Sequence, residues 1–334
     1  MLKRILGRTG LTVSVIGFGG IPIQRVSVED AVRIIRRALQ LGVNFIDTAR
    51  VYTDSELKIG LALKNYDNKC VVASKSRALT KLEMENDIKL SLSNLNLKQI
   101  HLYQLHNVSD FESYNRALQP DGAITALKEA QETGLIKYIG ITSHVHALLK
   151  KVLDSGLFDT IQFPFNPLET DGLELIRLAK DYNIGTIIMK PLAGGAFYNA
   201  GAALKWILQH DVSVIIPGMD SIQQVEYNLS IIDSPLTAEE LKALKQELKM
   251  IDKRVCRRCE YCQPCPQGIK IPVILLLDAY YQRYRLPGWA KERYKSLVDV
   301  TPEKCTECGL CEEKCPYKLP IRKLIREAHR RLAS

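Results

Sequence analysis

Eight of the nine cysteines in this 334-residue chain fall in two runs. Cys305, Cys308, Cys311 and Cys315 are spaced C-x2-C-x2-C-x3-C, and Pro316 follows. That is the ligand spacing of a [4Fe–4S] cluster. Three thiolates at this spacing can wrap one face of a cubane, and the fourth, before proline, turns to a second cluster. Cys256, Cys259, Cys262 and Cys265 form the other run, again followed by a proline, Pro266. Crossing over gives one cluster Cys256, Cys259, Cys262 and Cys315, and the other Cys305, Cys308, Cys311 and Cys265. Two [4Fe–4S] clusters are therefore expected. The run at 256 has two residues, not three, before Cys265, which leaves less chain to swing that thiolate across. Zinc sites use paired C-x2-C halves more than runs of four, and cysteines three apart join poorly as disulfides. Cys70 stands alone in an apolar run and reads as a core thiol.

A second set of reactive types is Asp47, Tyr52, Lys75 and His106. Together they suit carbonyl reduction. A tyrosine hydroxyl can give a proton to a developing alkoxide, although a free phenol ionises only near pH ~10. A neighbouring lysine ammonium eases that proton loss. An aspartate keeps the lysine charged and placed, and a histidine can orient the carbonyl oxygen by a hydrogen bond. A hydride source must come from elsewhere.

Such groups need a frame that brings them together. Apolar runs at about 13–17, 43–47, 70–74, 100–105, 136–141, 159–163, 185–189 and 212–216 alternate with amphipathic stretches. The latter lie at about 29–41, 54–64, 80–95, 121–133, 144–155, 171–182, 200–209 and 221–231. In the first, Ala31, Ile34, Ile35, Ala38 and Leu41 recur at helical spacing. Strict alternation predicts a parallel sheet, and eight repeats predict an α/β fold, a closed (β/α)8 TIM barrel. An open doubly wound sheet is the runner-up, but Gly17-Phe18-Gly19-Gly20-Ile21-Pro22 lacks the last glycine of its phosphate turn. A barrel collects chemistry at the C-terminal ends of its strands. Asp47, Lys75 and His106 close three successive runs, and Tyr52 lies in the loop after the first of them. A short hairpin with Thr9-Gly10 near its turn is expected ahead of the barrel.

The barrel is expected over 1–250 and a small α-helical ferredoxin-like domain over 251–334. Residues 271–298 carry Leu275, Leu276, Leu277, Tyr280, Tyr281, Tyr284, Trp289 and Tyr294 and read as helical, broken at Pro287-Gly288, forming a core around the clusters. Residues 320–332 read as a solvated amphipathic helix. The formal charge is +9. From residue 250 onward there are 18 Lys and Arg against 10 Asp and Glu. Two clusters, each about −2 with its thiolates, offset much of that excess. The remainder can steer an acidic ferredoxin-like redox partner. No nucleic-acid motif accompanies it. No stretch of 18 apolar residues exists, so no membrane span is expected. The early apolar run is broken by Gly17, Gly19 and Gly20 and reads as a strand, not a signal peptide. A cytoplasmic location is expected.

FIDTARVYTDSELKIGLAL, VVASK, HLYQLH and GLIKYIGITSH resemble successive motifs of the aldo-keto reductase superfamily, over roughly residues 1–235. CRRCEYCQPCPQGIKIP and CTECGLCEEKCP resemble the tail of its subgroup with a C-terminal 4Fe–4S module. The resemblance implies a catalytic tetrad of Asp47, Tyr52, Lys75 and His106, with Tyr52 the proton donor, acting on a small carbonyl or alcohol. It implies NADPH or NADH as cofactor, its carboxamide held by Thr142, Ser143 and Gln162. Where the family often stacks a tyrosine on the nicotinamide, this chain has Met189, followed by Lys190, Pro191 and Leu192. Where a Pro-Lys-Ser usually meets the adenosine 2′-phosphate, it has Pro217, Gly218 and Met219, and Gln224 replaces an expected arginine. Asn228 fits the adenine-contact position. Losing both cations removes the bonds that select a 2′-phosphate. Gly194 and Gly195 make either a pyrophosphate-binding loop or a plain flexible one.

Three readings follow. In the first, the barrel exchanges hydride with a substrate and the clusters pass single electrons to or from a partner. Hydride carries two electrons and a cubane moves one, so direct coupling would call for a flavin, for which there is no motif. In the second, the clusters are purely structural. In the third, the protein is an electron carrier on a catalytically retired barrel.

Overall fold

A computed structural model describes every residue except 67–69, 252–253, 258–260, 284–285 and 316. The chain divides into two units. One is Met1–Pro191 with Ala200–Thr237, and the other is Leu192–Asn199 with Ala238–Ser334.

The first unit opens with the expected hairpin, β1 (Lys3–Ile5) antiparallel to β2 (Thr12–Ser14). Leu6 and Val13 bury fully beside Phe45, Leu102, Ile187 and Val214. Arg4 fastens the hairpin by donating to the carbonyls of Leu208, His210 and Val212 at 2.6–3.0 Å. Eight parallel strands follow: β3 (Phe18–Gly19), β4 (Phe45–Asp47), β5 (Val71–Ser76), β6 (Ile100–Leu105), β7 (Ile136–Thr142), β8 (Thr160–Pro164), β9 (Gly185–Met189) and β10 (Val214–Ile215). They pair in sequential order. Bridges Ile16–Ile215 and Gly19–Gly218 join the two edges. There the Gly17 and Gly19 amides donate to the Ile215 and Pro217 carbonyls at 2.8 and 2.9 Å. The sheet is thus a closed barrel, whereas a doubly wound sheet would reverse its strand order at a switch point. The seam is tight: a Cβ on Gly19 would lie 2.8 Å from the Ile216 carbonyl oxygen.

The strands are buried and largely apolar on both faces because side chains fill the barrel and helices cover its outside. The helices are α1 (Val28–Gln40), α2 (Ser55–Leu63), α3 (Lys81–Leu95), α4 (Phe111–Ala117), α5 (Ala123–Glu132), α6 (His146–Leu153), α7 (Leu173–Asp181), α8 (Ala200–Leu208) and α9 (Ile222–Ser230). The apolar stripe of α1 buries Ala31, Ile34, Ile35, Ala38 and Leu39. Side-chain caps start several of them. Ser27 accepts from the Asp30 amide at 3.0 Å, and Thr80 from the Glu83 amide at 3.4 Å. Each satisfies an amide that the first turn leaves unpaired. The short α4 had no counterpart among the expected helices. Asp110 caps it, accepting from Ser113 N at 2.7 Å.

The second unit holds α10 (Ala238–Ile251), α11 (Ile271–Gln282), α12 (Pro287–Leu297), α13 (Leu310–Glu313) and α14 (Ile321–Ala333). Leu192–Asn199 joins it, with the Tyr198 and Asn199 amides donating to the Glu247 carboxylate. Its core gathers Ile274, Leu277, Ala290, Tyr294, Ile325 and Leu332. Two expectations are refined here. Pro287 does not break a helix but starts α12, where a missing N–H leaves no helical bond unmade. α14 is amphipathic but only half solvated: Ile321, Ile325, Ala328 and Leu332 are buried, each larger one contributing about 1.5–3 kcal/mol. Flanking that stripe, Arg331 forks onto both Asp278 oxygens at 2.7 and 2.8 Å. Among the described residues, no helix is long and apolar enough to cross a membrane.

Candidate active site and cluster cavities

Parallel strands deliver their C-terminal ends to one rim. Asp47 ends β4, Lys75 is next to last in β5, and His106 directly follows β6. Asp47 is 3% exposed and Lys75 0%. Lys75 Nζ lies 2.6 Å from Asp47 Oδ2 and 2.5 Å from the Thr48 carbonyl. Tyr52 sits in the turn after β4, its amide donating to Ala49 O at 3.0 Å. The centre of its ring is 5.2 Å from Lys75 Nζ. The His106 ring stands edge-on to it, with centroids 5.6 Å apart. All four side chains thus meet. Burial pushes the Asp47 carboxyl up and the Lys75 ammonium down, while their pairing opposes both shifts. A cation beside the phenol stabilises negative charge developing on it.

His106 is held well below the usual histidine range, first by burial and then by the charges of Lys75 and Arg77. It is therefore a neutral hydrogen-bonding group at neutral pH. Its folded value lies below its unfolded one, so the unfolded chain binds the extra proton first. Stability should fall as pH drops below ~6.5, by at most about 1.4 kcal/mol per pH unit for this group. Urea midpoints at about pH 7 and about pH 5.5 check this. The unsubstituted chain should lose more stability over that interval than His106→Gln. Equal losses would contradict the assignment.

The residues expected to hold a dinucleotide are dispersed over the later strand ends. Thr142 ends β7, and its Oγ1 accepts from the Asn107 amide at 2.7 Å. Ser143 Oγ donates to the Val108 carbonyl at 2.6 Å, and the Ser143 amide donates to the Gln162 carbonyl at 3.0 Å. Gln162 lies in β8 and is 1% exposed. Lys190 follows β9 at φ 51°, a left-handed conformation that costs a side-chain-bearing residue about 1–2 kcal/mol. Asn166 steadies it by donating to its carbonyl at 3.0 Å, and Lys190 Nζ lies 3.2 Å from His144 Nδ1. Pro191 is buried at the edge of the first unit, whereas Leu192 and Gly194 belong to the second. Gly194 and Gly195 both take positive φ. Pro217 and Gly218 lie at the barrel seam, and the Met219 side chain is buried in the core. Gln224 accepts from the Asp220 amide at 2.8 Å, and Asn228 is buried in α9. Asp220 itself lies 3.7 Å from Arg25.

The cysteines line two cavities in the second unit. Cys265, Cys305, Cys308 and Cys311 border one, with Cys262 and Arg322. Cys256, Cys262 and Cys315 border the other, with Arg257 and Tyr317. Cys259 lies outside the described residues. Cys265 thus lies with the later run, and Cys315 with the earlier one. The Cys311 thiol is pushed up by burial, then by Glu312 and Cys305 nearby. Thiols gathered in this way ionise together only with a cation among them, which suits an iron cluster. Among the described residues, no three His, Cys, Asp or Glu side chains converge closely enough for a single metal ion. Cys70 is a buried thiol pushed up to about 12 by desolvation.

Residues 15–202 match the Aldo/keto reductase family. The chain belongs to that family. Residues 255–320 of this aldo-keto reductase match the 4Fe-4S dicluster domain. L-galactose dehydrogenase of Arabidopsis thaliana is 27% identical, over 69% of this chain and 87% of that protein. An aldo-keto reductase of Bacillus halodurans in its holo form is 26% identical with a TM-score of 0.64, covering 75% of this chain and 96% of that one. A Klebsiella pneumoniae aldo-keto reductase, solved in complex with NADPH, shares the fold at 23% identity and a TM-score of 0.63, over 74% of this chain and 95% of its own.

Two buried polar groups of this reductase escape motif spacing. Glu56, 1% exposed, accepts from Ser74 at 2.6 Å, Ser91 at 2.7 Å and Asn94 at 3.2 Å, and pairs closely with Arg50. It ties α2, β5 and α3 together behind the Tyr52 turn. Gln104, fully buried, sets its Nε2 3.1 Å from Gln162 Oε1 and 3.5 Å from Asp47 Oδ1. It links the Asp47–Lys75 pair to β8. Gly140 makes room for it, since a Cβ there would lie 2.9 Å from Gln104 Cγ. Counting by twos back from His106 along β6 puts Gln104 on the inward face, so a signal for it exists.

Proposed function

We propose that this aldo-keto reductase catalyses nicotinamide-dependent interconversion of a small carbonyl compound and its alcohol. When bound, the dinucleotide supplies or receives the hydride at the carbonyl carbon. In the reducing direction, Tyr52 gives its hydroxyl proton to the oxygen that becomes the alcohol. Lys75 stabilises the phenolate left behind, and Asp47 holds Lys75. Neutral His106 orients the carbonyl oxygen by a hydrogen bond. Thr142, Ser143 and Gln162 hold the carboxamide. The observation that carries this reading is the fully buried Lys75, 2.6 Å from Asp47 and beside the Tyr52 ring. A buried pair of this kind is costly to desolvate and does little for stability by itself. Its place next to a half-buried tyrosine and a neutral histidine suits catalysis. The stretch Pro217–Met219 carries no cation, and the nearby Arg25 faces Asp220 at 3.7 Å, which favours a ribose hydroxyl over a 2′-phosphate and hence NADH over NADPH.

Two [4Fe–4S] clusters belong to the same reading. One is held by Cys256, Cys259, Cys262 and Cys315, the other by Cys265, Cys305, Cys308 and Cys311. Each would add a one-electron store, exchanging with an acidic ferredoxin-like partner. A structural role is the second reading, favoured by the packing of Cys256, Cys262, Cys265, Cys305 and Cys311 against the unit's core. Anaerobically purified protein tests both. About eight irons per chain are expected, together with carbonyl reduction that NADH supports better than NADPH. Visible and EPR spectra recorded during dinucleotide titration separate the roles. Bleaching of the clusters supports electron exchange. Full turnover with spectra unchanged, both with NADH and on mixing dithionite-reduced protein with NAD⁺, supports a structural role. No dinucleotide-dependent turnover across a panel of aldehydes, ketones and sugars would sink the catalytic reading.

A further inference from the structure

Gln104 stands inside the barrel among the groups assigned to the reaction. It lies in β6, two residues before His106 and so on the same inward face. Lys75 is its partner across in β5, and Gly140 its partner across in β7. Its Nε2 donates to Gln162 Oε1 at 3.1 Å and lies 3.5 Å from Asp47 Oδ1. Burial pushes the Asp47 carboxyl up, while the charge of Lys75 and hydrogen bonds from Lys75, Gln162 and Gln104 oppose it. Both amides thus face the carboxylate.

These contacts fix the sense of the two amides. An ionised carboxylate only accepts hydrogen bonds, whereas an amide offers N–H at one end and C=O at the other. Asp47, paired with Lys75 at 2.6 Å, therefore draws the Nε2 end of Gln104 toward itself. That end carries a second N–H, which goes to Gln162 Oε1. A reversed Gln104 would set its oxygen against two other oxygens. A reversed Gln162 would set two NH2 groups against each other. The order runs from the carboxylate that holds Lys75 to the amide assigned to the nicotinamide carboxamide.

Packing alone does not call for a glutamine here. Gln104 Oε1 is buried with no hydrogen-bond partner among the described residues, and so is Thr160 Oγ1, which Gly140 separates from it. A Cβ on Gly140 would lie 2.4 Å from Thr160 Oγ1 and 2.9 Å from Gln104 Cγ. A leucine in place of Gln104 would fill the same space with no polar group to satisfy.

We infer that Gln104 is a positioning residue of the proposed reaction. It locks Gln162 to Asp47, so that the carboxamide of the dinucleotide and the ammonium of Lys75 are set in one register. The inference rests on the functional reading above. Gln104 acts through Asp47 and Gln162.

The test compares the full-length protein with Gln104→Leu and Gln104→Met, both of similar size and without a donor. Calorimetry measures the binding of NAD⁺ and of ADP-ribose, which has the same adenosine and pyrophosphate but no nicotinamide. If NADPH proves the better reductant, NADP⁺ and 2′-phospho-ADP-ribose replace them. Gln104→Leu should weaken NAD⁺ binding about tenfold, the scale of one hydrogen bond, and leave ADP-ribose within about twofold. At saturation, kcat for reduction of the best carbonyl compound of the panel should also fall about tenfold, through the misplaced lysine. A residue that only fills the core would weaken both ligands alike or neither. Either of those results, or an unchanged kcat, overturns the proposal. If Gln104→Leu does not fold, Gln104→Met takes its place with the same expectation. Failure of both to fold would make Gln104 a residue of the fold and likewise overturn the proposal. A parent protein without dinucleotide-dependent turnover would sink the functional reading itself.

Discussion

Tyr52→Phe should lower kcat/KM for carbonyl reduction by about 10²–10⁴-fold, the usual contribution of a positioned general acid. Dinucleotide affinity and the melting temperature should stay near those of the parent protein. The substitution keeps the ring that stands against His106 and beside Lys75, so packing is preserved and only the hydroxyl is lost. Lys75→Met is a poorer probe. It strands Asp47 as a buried charge without its partner at 2.6 Å, and breaking such a pair costs about 3–5 kcal/mol. A loss of activity there would mix chemistry with unfolding. Steady-state kinetics of Tyr52→Phe, with fluorescence titration of the dinucleotide, separate the two. Undiminished turnover would remove Tyr52 from the proton-donor role. A fall in dinucleotide affinity with turnover at saturation unchanged would make Tyr52 a binding residue instead.

The second large effect concerns the C-terminal unit. Removing the clusters with an iron chelator under oxidising conditions should unfold this unit at temperatures where the barrel persists. The unit is small, and small cores lean on covalent or metal staples. Here Cys315 is part of the core, and five further cysteines pack against it. Taking the iron away would leave partly buried thiols facing empty space, with Cys311 already reluctant to ionise. Binding free energy of a metal that only the folded form can hold is also folding free energy. Circular dichroism should therefore show one transition with iron present and two after its removal. Cys311→Ala should retain about four of about eight irons and one of two EPR signals. Unaltered melting after complete iron removal would mean that the thiols pack well enough without it.

Much of the barrel could be read from residue order. Runs such as 100–105 and 185–189 coincide with β6 and β9 because a strand buried on both faces is mostly apolar. The meeting of Asp47, Lys75 and His106 could be read for the same reason: a polar residue that closes such a run has only the rim to occupy. Glu56 was less visible. It stands in a helix start among ordinary charged neighbours, and only the packing of α2 on α3 brings Ser91 and Asn94 to it. Gln104 sits inside a mostly apolar run, where only its parity with His106 marks it. α4 depends on a single cap, Asp110, and seven residues carry too little periodicity to register. The buried face of α14 is masked in the sequence because arginines and lysines dominate its composition, while four apolar residues at helical spacing decide where it packs. The departures at Pro217–Met219 were plain as letters. The pairing of the neighbouring Asp220 with Arg25 was not, because the two lie far apart in sequence.

The connection Leu192–Asn199 belongs with the C-terminal unit although it lies between β9 and α8. A ribosome makes the chain from one end, so these eight residues emerge long before Ala238 and everything that follows. Until Glu247 is synthesised, the amides of Tyr198 and Asn199 have no carboxylate to meet. The chain of α8, β10 and α9 is therefore made while this connection still lacks that partner. The C-terminal unit is in this sense not an appendage that could be trimmed at a single point, because part of it is written into the middle of its neighbour. A gene fusion or truncation that cuts near residue 237 leaves that fragment behind, without the chain it was made to join.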